Sequence, residues 1–459
     1  MTDFACQLAG FAAALRFEHL PPAVVHEVKR RVIDSVACAL GAWHAEPCVI
    51  ARRVAAGFSA DRGSTLLGTR HRVPPDWAAF ANGCLVRYLD YNDTYLSKEP
   101  AHPSDNIPAA LAAAEAAGAN GRELITAIAL AYEVQCRFCD TQSLRARGWD
   151  HVTYGAFSSA LAAAKLLGLD AARMRHALGI AGVAGAALRQ SRVGELSHWK
   201  GCAFANAARH GVYAALLARE GMSGPAPIFE GEKGFEKLVS GPMGEACAWF
   251  DPASLGHRDW MILNTSIKFW PAEYHSQSAI EAALQLRPQI GGVENIDSIR
   301  IDSHDAAVDI IGSEPEKWRP QSRETADHSL PYITAVALTD GEITERQFAP
   351  ARFSDAGLLQ LVERVRVERH AGLSALYPGA VGNFVAVRLR DRRELAARVD
   401  HPRGHARNPL TDGELEAKFY SLADPRLGRQ NGSLVLNWLW RLDVADGVGP
   451  LWELLAAVV

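Results

Sequence analysis

Apolar residues recur at steps of three and four along most of the chain, and that period predicts helices. Val24, Val28, Val32, Val36 and Leu40 follow the stop Leu20-Pro21-Pro22, so residues 23–43 read as a helix with one apolar face. The same period covers 76–96, 107–117, 123–139, a segment from His151 to a stop at Gly168, 171–184 and 201–220. Alanine and glycine are frequent in these segments, which predicts closely packed helices in a bundle. After about Asn264 the period changes. Residues 296–303, 365–370 and 383–390 alternate as strands do, and 394–399 pairs with the last of these across Arg392-Arg393. Helical stretches at 278–287, 328–339 and 355–362 lie between them. Beyond Gly404 the helical period returns, opened by a capping box of Thr411 and Glu414, and 435–440 and 451–459 are apolar. The pattern predicts a mostly α protein. Residues 1–265 and 405–459 form a large helical unit from both chain ends, and 266–404 form a smaller inserted α+β part.

Composition narrows the function classes. At 459 residues the chain is too long for one ordinary core. A net charge of −4 and the lack of any Lys/Arg run argue against a nucleic-acid surface, so an anionic substrate needs locally focused cations. No apolar run reaches membrane-spanning length, and the early Asp3 without a basic leader argues against a secretory signal. Eight scattered cysteines read as free thiols of a reducing cytoplasm. Cys136 and Cys139 make a lone C-x-x-C inside a helical pattern, without the strand or second pair that a redox or zinc site needs. Neither H-E-x-x-H nor a phosphate-binding glycine loop occurs, so no metal and no cofactor are expected.

The stretch Leu89–Asn106 carries the most chemistry. Asp90, Asp93 and Thr94 fall at helical spacing on a helix running through Arg87 and Tyr95. Lys98-Glu99-Pro100 breaks that helix, Pro103 forces His102 into an extended conformation, and Ser104, Asp105 and Asn106 are candidate caps of the next helix. Carboxylates, a hydroxyl and an imidazole thus gather at a helix junction, which suits proton transfer; an ordinary polar loop uses the same residues. Lys200 opens a helix, where a cation opposes the macrodipole by a few tenths to about 1 kcal/mol. It is either aimed at an anion or simply exposed. His275 stands just before a helix for which Ser278 and Glu281 predict a capping box, with Lys268 upstream; that end attracts carboxylates, or the histidine serves its loop. His151 begins a helix and reads equally as a surface residue. His328 and Tyr332 share a helical face, where the tyrosine is a proton donor or a satisfied core residue.

Several stretches together, LDYNDTYL…AHPSDN, GELSHWKGCAFANAARHG, FWPAEYHSQSAIEAA, ETADHSLPYITAVAL and HPRGHARNPLTDGELEAKF, resemble the MmgE/PrpD family in composition and order, as does DSVACALGA at 34–42. The resemblance implies a helical domain built from both chain ends, an α+β lid, a homodimer, no required metal, and a site between the domains. It places Asp90, Thr94, His102, His151, Lys200, His275 and Tyr332 at that site. The long spacing from Thr94 to His102 resembles the family's dehydratases more than its decarboxylases. The implied reaction is dehydration of a 2-methylcitrate-like tricarboxylic acid, with decarboxylation or epimerisation of a related acid as the family's other chemistry. In this reading His102, held by Asp90, is base or acid. Lys200 and His275 stabilise the enediolate, Thr94 orients substrate, and Tyr332 or His151 supplies a second proton. A catalytically silent helical scaffold is the alternative of another class, and the joint presence of these side chains argues against it.

Overall fold

The computed structural model describes residues 3–456, apart from the side chains of Glu245 and Cys247. The last three residues of the apolar stretch 451–459 lie outside it. Nine helices of the first part are α1 (Phe4–Ala14), α2 (Pro22–Gly41), α3 (Glu46–Ala55), α4 (Pro75–Tyr88), α5 (Ile107–Ala117), α6 (Gly121–Thr141), α7 (Val152–Leu166), α8 (Ala171–Ala184) and α9 (Trp199–Arg219). Some boundaries have a plain local cause. Asn120 caps α6 by accepting from the Glu123 N–H while Glu123 returns the bond, and Gly118 takes the left-handed conformation (φ 66°) that ends α5. Small residues let the helices close on one another. A Cβ at Gly211 of α9 would lie 2.8 Å from the Ala156 carbonyl oxygen of α7, so only glycine permits that approach.

The second part carries α10 (Gln277–Ile290), β1 (Ile296–Ser303), α11 (Asp305–Ile311), α12 (Leu330–Asp340), β2 (Val365–Arg369), β3 (Asn383–Leu389) and β4 (Glu394–Val399). The strands form one sheet in the order β2-β1-β3-β4, parallel between β1 and β2 and antiparallel elsewhere. The β3–β4 hairpin turns at Arg392 (φ 73°). The chain then returns as α13 (Asp412–Trp440), kinked where Gly428 leaves helical geometry after Pro425, and α14 (Gly449–Ala456). The Thr411–Glu414 capping box forms.

Buried apolar side chains fall into two clusters. One runs from Phe4 to Ile267 and resumes from Leu410 to Leu455; the other runs from Trp270 to Val399. Both chain ends therefore serve one core. Within it, Phe4, Phe138, Phe157, Phe229 and Phe250 interlock with ring centroids 4.7–6.2 Å apart and pin α1, α6 and α7 together. Each such buried ring contributes roughly 1.5–3 kcal/mol.

Three sequence readings change. The helix expected over 76–96 stops at Tyr88, and Asp90 is left-handed (φ 52°), so Asp90, Asp93 and Thr94 share no helical face. Ser104, Asp105 and Asn106 make no cap; Asn92 and Gln135 engage them instead. The Ser278–Glu281 box is absent because Ser278 donates to the Val381 carbonyl and Glu281 accepts the Arg403 N–H. Cys136 and Cys139 are buried free thiols, pushed well up by burial. No helix of the described residues is long and apolar enough to cross a membrane.

Candidate active site

A cavity of about 210 Å³ opens between the two cores. Its first wall comes from the loop after α4. Arg87, in the last turn of α4, pairs with Asp90 just beyond it. Burial alone would raise the Asp90 carboxyl, but Arg87, Lys200 and Lys268 outweigh it and hold the group well below the usual range. Lys268 is fully buried, donates to the Asp90 carbonyl at 2.7 Å and sits 3.1 Å from Oδ2. Thr94 and Ser266 exchange backbone bonds at 2.8 Å, which ties this loop to the segment carrying Lys268. The Thr94 hydroxyl donates to the Ala101 carbonyl at 3.2 Å, and the residue lines the cavity.

His102 also lines the cavity; before Pro103 it leaves the helical region as expected, at φ −124° and ψ 83°, short of a fully extended conformation. Its partner is not Asp90. Nδ1 lies 2.7 Å from the Asp93 carbonyl oxygen, and a carbonyl only accepts, so Nδ1 carries the proton and Nε2 keeps its lone pair. Asp93 is itself pinned: its carboxylate accepts the Tyr132 hydroxyl at 2.6 Å and the Ser104 N–H at 3.0 Å. Burial, then Arg87 and Lys268, push His102 well below its ordinary value and keep it neutral.

His151 stands at the start of α7, its ring centroid 5.8 Å from that of His102. Asp150 is buried, and one of its oxygens lies 2.9 Å from His151 Nδ1; the other accepts from Ser191 and Arg192. The Asp150 carboxyl is therefore held well below its usual range despite burial. His151 Nε2 is buried without a partner, and burial lowers the pKa of the ring.

The second core supplies the facing wall. His275 occupies a short 3₁₀ turn before α10, with Nδ1 2.7 Å from Glu273 Oε1. Against its own burial, His275 and then His328 hold the Glu273 carboxyl down to about 2. His328 precedes α12 and places Nδ1 2.5 Å from Asp327 Oδ1. Lys200, in the first turn of α9, is buried with Nζ 3.3 Å from His328 Nδ1 and 3.7 Å from Asp327 Oδ1. Burial lowers its ammonium to about 8, against the pull of Asp327 and Asp90.

His102, His151, Thr94 and His275 therefore line one cavity, with Asp90, Lys200 and Lys268 in the charged layer directly behind it. Tyr332 is elsewhere. Its hydroxyl donates to the Gln347 carbonyl at 2.5 Å inside the second core, because α12 begins only at Leu330 and aims Tyr332 inward while His328 faces out. His328 was the member of that pair to choose. Glu273, Arg87, Arg145, Arg189, Arg192 and Lys317 also line the cavity and escaped the sequence reading. An arginine in a polar loop looks solvent-exposed in sequence; the pair Arg189-x-x-Arg192 just beyond a helix end is the one pattern that could have marked two of them. Among the described residues no group of three or more His, Cys, Asp or Glu side chains is placed to hold a metal ion. A neutral imidazole with a free lone pair, facing a cation-rich wall, can take a proton from carbon and stabilise the anion left behind.

The chain as a whole is similar to known proteins. A family model described as the MmgE/PrpD N-terminal domain matches residues 6–245, and one described as the MmgE/PrpD C-terminal domain matches residues 270–442. The 2-methylcitrate dehydratase of Escherichia coli (strain K12) is 28% identical over 402 residues, covering 82% of this chain and 81% of that protein. That of Cupriavidus necator is 29% identical over 401 residues, covering 82% and 81%. The cis-aconitate decarboxylase of Homo sapiens is 28% identical over 451 residues, covering 92% and 86%. The two family models follow one another over most of the chain, and its relatives are enzymes: this protein belongs to the MmgE/PrpD family.

Proposed function

We propose that this enzyme is a metal-independent carbon–oxygen lyase that dehydrates 2-methylcitrate or a close tricarboxylic analogue. The observation that carries the reading is His102: an imidazole kept neutral, fixed as the Nδ1–H tautomer by the Asp93 carbonyl, in a cavity lined by Arg87, Arg145, Arg189, Arg192 and Lys317 beside Glu273, Asp309 and Glu314. His102 Nε2 takes the proton from the carbon next to a carboxylate. The electron pair moves onto that carboxylate as an enediolate, stabilised by Arg87 and by the Lys200 charge behind the wall. It then forms the carbon–carbon double bond as the C–O bond breaks. The leaving hydroxyl takes a proton from His151, whose imidazolium is stabilised by Asp150, and departs as water. The adjacent rings then return the proton from His102 to His151.

In this reading residues 266–404 act as a lid over a base made of 1–265 and 405–459, and two copies associate as a homodimer, which light scattering checks. The dehydratases among the relatives support the substrate class. The decarboxylase relative supports a second reading, loss of CO₂ from cis-aconitate, on the same cavity. Proton NMR of chelator-treated protein separates them. Formation of 2-methylaconitate from 2-methylcitrate supports the dehydratase; itaconate from cis-aconitate, without turnover of 2-methylcitrate, replaces it with the decarboxylase.

A further inference from the structure

We infer that Arg145 and Arg189 form a receptor for one substrate carboxylate, remote from the carbon that loses its proton. The inference rests on the polycarboxylate reading above. Both residues line the cavity. Nearly every other charged group on its surface is matched: Arg87 with Asp90, Arg192 with Asp150, Glu273 with His275, Asp309 with Arg369, and Glu314 with Lys317 at 3.4 Å. Among the described residues the guanidinium groups of Arg145 and Arg189 make no hydrogen bond or ion pair. The nearby acid is Glu99, which is buried. It spends its Oε2 on the Ser143 hydroxyl at 3.0 Å and the Arg145 backbone N–H at 3.1 Å, so its field reaches the two arginines but does not close on them.

The two arginines are also pre-positioned. Arg145 opens the 3₁₀ turn Arg145–Arg147 after α6, and Arg189 opens the turn Arg189–Arg192 after α8. The two turns are stitched by backbone: Asp150 N–H to the Ala187 carbonyl at 2.8 Å, Arg189 N–H to the Gly148 carbonyl at 3.0 Å, and an antiparallel bridge between Trp149 and Leu188. Gly148, left-handed at φ 84°, allows the chain to turn between Arg145 and that bridge. Because His151 directly follows the stitched segment, the free charges and the proposed proton donor belong to one unit. Burial disfavours the Arg189 charge, and a carboxylate is the group that restores it, through paired N–H···O bonds in a single plane.

The test is calorimetric and needs no turnover. Propane-1,2,3-tricarboxylate and glutarate, neither of which can lose water, are titrated into the wild type and the Arg145→Gln/Arg189→Gln double variant. The wild type is expected to bind the tricarboxylate at least about 10-fold tighter than glutarate. The double variant is expected to lose about 10- to 100-fold for the tricarboxylate while glutarate changes less than about 3-fold. Neither guanidinium holds the fold together, so the variant should melt with the wild type. Arg147→Gln on the same turn, where the side chain packs on Gly241, is the charge control and should bind as the wild type does. The inference is overturned if the wild type shows no preference, if the double variant keeps it, if both ligands weaken alike, or if Arg147→Gln reproduces the loss. Failure of the wild type to dehydrate 2-methylcitrate would remove the proposed reaction and leave this binding result intact.

Discussion

The two walls of the cavity hold their histidines in different ways. On the first core His102 is backed by the Asp93 carbonyl, a neutral acceptor. On the second core His275 is backed by Glu273 and His328 by Asp327, both carboxylates. A carbonyl fixes the tautomer and gives an imidazolium little support, so His102 stays a free base; a carboxylate opposes the lowering that burial imposes, as Asp327 does for His328 and Asp150 for His151. His151 shows that the backing, and not the core, decides the role: it shares a wall with His102 and is backed by Asp150. Asp327 also anchors Arg323 at 2.9 Å and meets Lys200 of α9, so carboxylates link the second wall's His328 to cations, whereas His102 itself is held by a backbone oxygen.

The largest way to break this contrast is Asp327→Asn. It leaves Lys200 and Arg323 buried with one partner fewer, and removing one member of a buried pair costs about 3–5 kcal/mol. Urea denaturation should report a loss of that order, and turnover should fall with it. The next test is pH. His102 must be neutral, and His151 and Lys200 must be charged. His102 is depressed, so the acid limb of kcat/KM lies well below pH 6.5, where it protonates. His151 donates as an imidazolium and its pKa is lowered, so activity first falls as that ring deprotonates below pH 6.5; Lys200 is depressed to about 8, so its charge is present below that pH and is lost above it, giving a second fall near 8. Lys200→Arg should move that second fall upward, because a guanidinium does not deprotonate there. The smallest effect belongs to Tyr332→Phe. It removes one hydrogen bond to the Gln347 carbonyl, worth about 1 kcal/mol in a melting curve, and should leave turnover within about 3-fold.

Much of the fold was legible because period is a local property. The strand at 296–303, the helices at 107–117 and 171–184 and the Thr411 cap all follow from neighbouring residues. The stretch after Tyr88 was not, because its conformation is imposed from outside. Asp90 is left-handed under the ion pairs of Arg87 and Lys268, and Thr94 is bridged to Ser266, 172 positions away. The same limit explains the site. Residue types and family motifs pointed to His102, His151 and Lys200, but the partner of His102 is a backbone oxygen, and a backbone oxygen has no sequence signature. The orientation of Tyr332 depended on where α12 begins, a shift of two residues that exchanges it for His328.

The measurement that bears most directly on the account is the turnover of 2-methylcitrate by His102→Gln beside that of His275→Gln, with melting curves for both. The account predicts a loss of about 10²- to 10⁴-fold for His102→Gln at unchanged stability, and a smaller loss for His275→Gln, which retains the base. Wild-type turnover by His102→Gln, or the larger loss at His275, would contradict it.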